Sequence, residues 1–294
     1  MTLINFLQVN PTAFIIFCGV LGLLVGSFLN VVILRLPVMM ERQWQEHCQE
    51  TQDEIQPENQ PDTQQAFNLV TPPSACPQCG HTITALENIP VLSYLFLKGR
   101  CSSCDKHIPL RYPLTEILSC VLSIIVAWHF GFGWQAATAL PLTWALISLS
   151  IIDFDHQLLP DSITLPFLWI GLLLSLFNIF TDSASAIIGA AIGYLSLWSI
   201  YQAFKILTGK EGMGYGDFKL LALFGAWLGW QNLLSVILLS SLVGAIFGIS
   251  MILLRGRDKN IPIPFGPYLA TAGWITLLWG DQIIVAYLNW AGIS

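Results

Sequence analysis

The chain has 294 residues, of which 54% are hydrophobic and only 10% charged, and its mean hydropathy is +0.65. Charged residues make up about 25% of a typical soluble domain, so this composition excludes an ordinary soluble protein and predicts a polytopic membrane protein. The formal net charge of −6 does not indicate a basic partner, because most of it comes from one acidic stretch between Glu41 and Asp62.

The first apolar window covers residues 13–34 and ends at Arg35. It has no basic segment before it and no small-residue cleavage site after it, so we interpret it as a retained span rather than a signal peptide. Residues 41–73 follow and are rich in Gln, Glu and Pro. Few apolar residues are available there to form a core, which predicts a flexible segment.

Two C-x-x-C pairs come next, formed by Cys76 with Cys79 and by Cys101 with Cys104. Their separation is close to that of a zinc ribbon. Four thiolates would complete a tetrahedral shell without an open position, so we predict a structural metal site with zinc as the expected ion. His81 and His107 could substitute as ligands. Two disulfides or redox thiols are the alternative, which a cytoplasmic location would disfavour.

The rest of the chain alternates between apolar windows and short polar segments. Windows near the length of about 20 residues that a bilayer requires lie at 114–130, 135–152, 163–180, 184–207, 233–254 and 268–290, with a shorter one at 218–230. Lys and Arg form three clusters, at 35–111, 205–219 and 255–259. Eight spans place all three clusters on one side, which the positive-inside rule identifies as the cytoplasm. We therefore predict about eight transmembrane helices.

Two aspartates lie at the ends of apolar windows, since Asp153 closes one and Asp217 opens another. A carboxylate near hydrocarbon is costly and marks a candidate functional site. The predicted topology places both at the cytoplasmic surface, where they could share a proton and activate water for peptide hydrolysis. Glycines before Asp217 would allow close helix approach. Spacing alone leaves open that Asp217 is only a helix cap and Asp153 only a surface residue.

Asp155 and Asp161 are other possible partners of Asp217. Asp161 follows Pro160 and precedes an apolar window, so we expect it to cap the next helix. Asp155 lies on the loop side of Asp153 and should be more solvated, and His156 is interpreted as neither base nor ligand. Asp153 is the deepest of the three carboxylates, which favours it as the partner.

Taken together, these motifs resemble the bifunctional prepilin peptidases, a family of GxGD-type aspartic proteases. Gly26 to Pro37 is similar to the N-terminal signature of that family, with Leu34 where an aromatic residue is often found. The cysteine pairs resemble its cytoplasmic zinc domain, residues 153–161 its first aspartate motif, and Gly214 to Lys219 its G-x-G-D motif.

The resemblance implies an organisation, an activity and a location in the bacterial inner membrane. Residues 1–35 would form the first span, 36–112 a cytoplasmic loop with the four-cysteine zinc domain, and 113–294 a seven-span membrane domain. Asp153 and Asp217 would cut the basic leader from type IV prepilins and type II secretion pseudopilins at the cytoplasmic face. Methylation of the new N-terminal amine by S-adenosylmethionine would follow in the zinc domain and nearby loops, with Gly99-Arg100 as a guessed contact.

Two other classes of protein also fit part of the sequence. An ion- or proton-coupled transporter uses intramembrane aspartates, but usually near the midplane of broken, repeated helices, and no internal repeat is present. A zinc-ribbon membrane scaffold would explain the cysteines and leave the aspartates without a role. Walker, H-E-x-x-H and G-x-S-x-G sequences are lacking, which disfavours nucleotide hydrolases, metalloproteases and serine hydrolases. The expected partners are prepilins, pseudopilins and membrane lipid, and no nucleic acid; the oligomeric state is not predicted.

Overall fold

The computed structural model describes residues 2–53, 67–210, 212–255, 264–290 and 292. Within these residues the regular structure is helical. The helices are α1 (Leu3–Val9), α2 (Pro11–Asp53), α3 (Leu92–Phe96), α4 (Arg111–Phe130), α5 (Trp134–His156), α6 (Asp161–Ser175), α7 (Ser183–Thr208), α8 (Tyr215–Leu228), α9 (Leu233–Arg255) and α10 (Gly266–Trp290), with a single 3₁₀ turn at Trp230–Asn232.

All eight predicted windows are helical, which confirms the prediction of an all-α polytopic membrane protein. Six helices in the described part of the chain, α2, α4, α5, α7, α9 and α10, are long and apolar enough to cross a bilayer. The other two, α6 and α8, have 15 and 14 residues. At about 1.5 Å per residue they are shorter than a hydrocarbon core of about 30 Å.

The first span continues well past its apolar window. Helix α2 runs from Pro11 through Pro37 to Asp53, so the first part of the acidic stretch is helical. The remainder of the prediction for 41–73 falls largely on residues 54–66, which lie outside the described residues. The same is true of most of the basic cluster at 255–259.

The chain divides into two compact units, Met1–Trp128 and His129–Ser294. In the first unit, glycines of α2 bring it against α4. A Cβ added to Gly22 would lie 2.8 Å from the Ser119 carbonyl oxygen, and one added to Gly26 would lie 2.7 Å from the Glu116 Cα. Such distances leave no room for a side chain, so the two backbones are in direct contact.

Polar contacts tie the segment before α3 to the same two helices. The Ser27 hydroxyl of α2 donates to the Asn88 side chain at 3.3 Å, and the Val91 N–H donates to the Glu116 carboxylate of α4 at 2.7 Å. Asn30 donates to the Tyr112 carbonyl at 3.2 Å. Gly26, Ser27 and Asn30 all belong to the N-terminal signature, so that signature holds α2, α4 and the intervening segment together.

In the second unit, α8 is the central helix. Every residue from Leu220 to Leu228 is buried, and α7 packs along it most extensively. A Cβ on Gly225 of α8 would overlap the Gly189 carbonyl oxygen of α7, and one on Gly193 would lie 2.7 Å from the Leu221 carbonyl oxygen. The glycines at 189 and 193 form a G-x-x-x-G sequence, which allows close approach of membrane helices.

Helices α6 and α10 each also present a glycine to an aromatic ring of α8. A Cβ on Gly171 would overlap the Trp227 ring, and one on Gly273 would overlap the Phe224 ring. The Trp227 indole N–H donates to the Phe167 carbonyl at 2.8 Å. Because α8 is covered by its neighbours rather than by lipid, its short length is compatible with a place inside a membrane domain.

Replacing Gly225 with serine should separate α7 from α8, because the new Cβ would overlap the Gly189 backbone. We expect a loss of about 1–3 kcal/mol in the free energy of unfolding, as is typical of overpacking. Thermal unfolding of the purified protein in detergent measures it. Gly133→Ser is the matched control, since nothing lies within 4 Å of its Cβ position and Gly133 precedes α5 as its N-cap. Equal stability of the two variants would contradict the packing described here.

Candidate active site and metal centre

Asp153 lies in the last turn of α5 and points into the protein. The helix ends at Gln157, whose left-handed backbone (φ 54°) lets its N–H bond to the Asp153 carbonyl at 2.9 Å. Asp153 is only 6% exposed, whereas the following Phe154 and Asp155 are exposed. Its carboxylate oxygen Oδ2 accepts a hydrogen bond of 3.0 Å from the Gly266 N–H, at the first residue of α10.

Asp217 lies in the first turn of α8 and is 7% exposed. The N-cap of this helix is Gly214, and the Asp217 N–H bonds to the Gly214 carbonyl at 3.2 Å. Asp217 is therefore not the N-cap residue, which removes one of the two roles that spacing had left open. Asp217 is thus a second buried carboxylate, at the start of one helix as Asp153 is at the end of another.

Leu159 packs between the segments that carry the two carboxylates. A Cβ on Gly216 would lie 2.7 Å from the Leu159 Cβ. A Cβ on Gly266 would lie 3.2 Å from the Leu159 Cδ2 and 2.6 Å from the Asp153 Oδ2. Both glycines are therefore required for the chain to come this close. The structure thus gathers the end of α5 and the starts of α8 and α10 around Leu159.

The other acidic residues of the first aspartate motif are arranged differently. Helix α6 begins at Asp161 with Pro160 as its N-cap and no side-chain capping bond, so the prediction that Asp161 caps this helix was wrong. Its carboxylate instead pairs with the Lys219 ammonium of α8 at 2.7 and 2.8 Å. Asp155 and His156 are exposed. Asp153 is thus the buried carboxylate of this motif.

Sequence reasoning missed three contributors to this site, Gly266, Leu159 and Lys219. Gly266 lies in the sequence Pro-Phe-Gly-Pro, which is typical of a rigid turn but does not show what the glycine contacts. Lys219 directly follows the G-x-G-D-F sequence and could have been recognised as a counter-ion for one of the nearby aspartates. Leu159 carries no such signal, because a leucine beside apolar windows is common.

The second candidate site is the cluster of Cys76, Cys79, Cys101 and Cys104. Their sulfur atoms all lie within 4.8 Å of one another, and the Cys76–Cys104 and Cys79–Cys101 distances are both 3.9 Å. A tetrahedral ion with bonds of about 2.3 Å requires neighbouring sulfurs about 3.8 Å apart. All four cysteines are free thiols rather than disulfides, so the arrangement fits a four-thiolate metal site.

Each C-x-x-C pair forms the same tight turn. The Gly80 N–H bonds to the Cys76 carbonyl at 3.0 Å, and the Asp105 N–H bonds to the Cys101 carbonyl at 3.1 Å. Gly80 and Asp105 both have positive φ, at 71° and 54°. The repeated geometry is that of two metal-binding knuckles facing each other.

Backbone hydrogen bonds also favour the deprotonated form of one of the four cysteines. Hydrogen bonds from the backbone N–H groups of Cys79 and Gln78 are the main causes that lower the pKa of the Cys76 thiol from 9.0 to about 6. A thiolate, not a thiol, is the form that binds metal. The thiolate form of Cys76 is therefore favoured at neutral pH, whereas desolvation and the neighbouring cysteines raise the pKa of Cys104 to about 12.

The two histidines near the knuckles lie outside the sulfur cluster. The His81 Nε2 is 3.3 Å from the Glu87 carboxylate, and the His107 Nδ1 is 3.3 Å from the Ile108 carbonyl oxygen. Glu87 also accepts hydrogen bonds from Ser102, which lies between the second pair of cysteines, and from Thr84. These hydrogen bonds lower the pKa of the Glu87 carboxyl group to about 2, and the bond from Ser102 has the largest effect. Glu87 therefore links the two knuckles as a carboxylate.

The guessed methyl-donor contact at Gly99-Arg100 lies in the turn between α3 and the second knuckle. Gly99 has φ 70°, and a Cβ there would lie 2.7 Å from the Tyr94 hydroxyl. Gly99 is therefore fixed by its conformation and by close contact with Tyr94.

Comparison with known proteins covers the whole chain. Residues 20–130 match the bacterial peptidase A24 N-terminal domain, and residues 140–249 match the type IV leader peptidase family. The chain is 58% identical to the prepilin leader peptidase/N-methyltransferase of Pseudomonas aeruginosa over 294 residues, which is 100% of both chains. It is 56% identical to that of Stutzerimonas stutzeri over 291 residues (99% of both) and 47% identical to that of Xanthomonas campestris over 273 residues (93% and 94%). No solved structure matches the chain.

The geometry of the four sulfurs predicts that the purified chain binds about one equivalent of zinc. Cys76→Ser or Cys101→Ser should remove most of this metal, because three thiolates leave the shell incomplete. Elemental analysis after gel filtration measures the content. Cys48→Ser is the matched control, since Cys48 is exposed on α2 and outside the cluster. An unchanged zinc content in both knuckle variants would contradict the assignment.

Proposed function

Since this chain belongs to the type IV leader peptidase family, we propose that Asp153 and Asp217 are the catalytic pair with which it cuts its substrates. The family membership confirms the resemblance drawn from the motifs. The chain is an inner-membrane enzyme, a prepilin leader peptidase and N-methyltransferase. The observation that supports the catalytic pair most is that two buried carboxylates, one at the end of α5 and one at the start of α8, lie on segments that pack around Leu159.

The geometry suggests different roles for the two groups. Two buried carboxylates that repel each other cannot both stay ionised, so the pair holds one proton. The N–H of Gly266 donates to Asp153, and a donated hydrogen bond favours the ionised form. We therefore assign Asp153 as the general base that activates water. Asp217, which carries the proton, is assigned to hydrogen-bond the scissile carbonyl.

In this mechanism Asp153 removes a proton from a water molecule as the oxygen attacks the carbonyl carbon. Asp217 donates its hydrogen bond to the carbonyl oxygen, where negative charge develops. When the tetrahedral intermediate collapses, the C–N bond breaks and the departing amine takes up a proton from the dyad. The products are the leader with a new carboxylate and the mature chain with a new N-terminal amine.

The proposed substrates are type IV prepilins and type II secretion pseudopilins, cut after a glycine that follows a short basic leader. The large loop and both aspartates would face the cytoplasm, which the clustering of Lys and Arg supports through the positive-inside rule. A basic leader held on that side would approach the site while the apolar segment of the substrate stays in the membrane.

The second activity transfers a methyl group to the amine that cleavage exposes. We assign it to the cytoplasmic loop region, residues 36–112 between the first span and the membrane domain of residues 113–294. S-adenosylmethionine would supply the methyl group. Zinc is the proposed ion of the four cysteines, and with all four positions taken by sulfur it would be structural.

The proposal predicts that Asp153→Asn and Asp217→Asn each lower the rate of leader cleavage by roughly 10²–10⁴-fold, the range typical of a lost general acid or base. Asparagine keeps the shape, and at position 153 its oxygen can still accept the Gly266 N–H. Asp155→Asn, which changes an exposed carboxylate two residues further on, should cleave like the parent. Full cleavage by either dyad variant would disprove the pair. Methylation of a pre-cleaved substrate should persist in both, which checks that the variants remain folded.

A second prediction concerns the contact of Gly266 with Asp153. Gly266→Ala places a Cβ 2.6 Å from the Asp153 Oδ2, so the Asp153 carboxylate must shift from its position. We expect kcat for leader cleavage to fall about tenfold or more, because small displacements of a catalytic group are costly. KM should change little. Gly133→Ala, made where the Cβ meets open space, is the control. An unaltered kcat would show that Gly266 does not position Asp153.

A further inference from the structure

A polar cavity lies in the second unit, at the end of α8 that is remote from the aspartates. It has a volume of about 200 Å³, and its walls include His129, Phe180, Asn232, Thr276, Trp279 and Asp281. Leu228, the last residue of α8, also lines it. At about 1.5 Å per residue, Leu228 is about 16 Å along the helix from Asp217. The cavity is therefore separate from the proposed catalytic site.

A break in α10 shapes this cavity. Trp279 leaves the helical conformation, with φ −127° and ψ 19°, although the helix continues on both sides. Gly280 follows, and a Cβ there would lie 2.7 Å from the Asn232 Oδ1. Sharp irregularities in helices have identifiable causes and often coincide with functional sites. Here the break turns the Trp279 ring towards His129, with 5.8 Å between ring centroids.

One hydrogen-bond acceptor on the cavity wall lacks a donor. The Asn232 side chain donates through Nδ2 to the Leu228 carbonyl at 3.1 Å, but its buried Oδ1 has no hydrogen-bond partner among the described residues. A buried acceptor without a donor costs free energy. The Asp281 carboxylate adds a negative charge to the cavity wall, and the carboxyl end of α8 adds the negative end of a helix dipole.

These features together fit a small cation with several N–H donors. The cavity is much larger than the about 30 Å³ that one water molecule occupies in the liquid, so it exceeds the needs of a bare metal ion. Its aromatic walls offer ring faces for a cation–π contact. A primary ammonium group on a short alkyl chain offers N–H donors and a positive charge, which are complementary to the orphan acceptor, the carboxylate and the aromatic rings of the wall.

The position of the cavity indicates where such a group would come from. Trp134 begins α5 at the end opposite Asp153, and Trp230 directly follows α8. They are 76% and 48% exposed. Exposed tryptophans at helix ends mark the membrane–water interface, which is the level of lipid headgroups. We propose that the cavity is a binding site for a primary ammonium group, supplied by an ethanolamine headgroup of the surrounding lipid.

The test measures binding of short-chain phosphatidylethanolamine to the full-length chain in detergent, with phosphatidylcholine and phosphatidylglycerol of the same acyl chains as comparisons. The parent should bind the ethanolamine lipid at least about tenfold more tightly, since only its headgroup offers N–H donors to the acceptors. Equal affinity for the three lipids would overturn the proposal. Displacement of the ethanolamine lipid by sodium ions, compared at matched ionic strength, would also overturn the proposal. It would indicate that the cavity binds an inorganic cation.

Two variants test the residues. Asp281→Asn removes the charge, and Asn232→Leu removes the orphan acceptor at nearly constant shape. Each should weaken binding of the ethanolamine lipid about tenfold or more while leaving leader cleavage near the parent rate. Glu46→Gln, an exposed carboxylate on α2, should bind like the parent. Because Asp281 is exposed, its substitution should not disturb folding. An unchanged affinity of Asp281→Asn for the ethanolamine lipid would therefore refute the site even if Asn232→Leu failed to fold.

Free ethanolamine separates the two sources of the ammonium group. If it competes with the lipid at concentrations near its own affinity, the amine alone is recognised and the cavity also accepts soluble amines. If it competes only in large excess, the glycerophosphate and acyl chains contribute and the natural ligand is a lipid. Failure to compete at any concentration would contradict recognition through the ammonium group.

Discussion

The close backbone contact between α7 and α8 is the constraint on which the proposed active site depends. Asp217 can be buried near the membrane only because α8 is covered on every side by protein. The surrounding helices can approach α8 this closely because glycines lie at the contacts. These are Gly189 and Gly193 of α7, Gly171 of α6 and Gly273 of α10. Without those glycines the helices around α8 could not close, and the Asp217 carboxylate would lose the burial that the proposed dyad depends on.

The same principle governs the three chain segments at the site itself. Asp153 belongs to α5, Asp217 to α8 and the donated N–H of Gly266 to α10, so the arrangement exists only when all three helix ends meet. Gly216 and Gly266 permit this by leaving space for Leu159. The ion pair between Asp161 and Lys219 connects the starts of α6 and α8 beside them. The proposed catalytic groups are thereby held by the ends of packed helices, which position side chains more rigidly than loops do.

The sequence identified the helices and the two carboxylates because each leaves a local signal. Apolar windows predict membrane helices, and a charge at the edge of such a window is conspicuous. The end of α2 was harder to predict, since residues 41–53 are mostly polar yet rich in Glu and Gln, which are good helix formers. The contact of Gly266 with Asp153 spans 113 positions in the chain. A backbone N–H is the donor, and no residue type reveals where a backbone N–H points.

Helix α10 carries two irregular features with different consequences. Its first residue contacts Asp153, and its break at Trp279 opens the polar cavity at the other end of α8. The first N–H groups of any helix have no partner within the helix, so Gly266 is able to donate to Asp153, whereas the break at Trp279 interrupts the backbone bonding inside α10. Beside the break, Asn232 has a buried acceptor without a partner among the described residues, and an unsatisfied polar group in a membrane domain is more costly than in water. A fold that retains such a group needs a donor for it, and a headgroup of the surrounding lipid is a donor within reach of the interface.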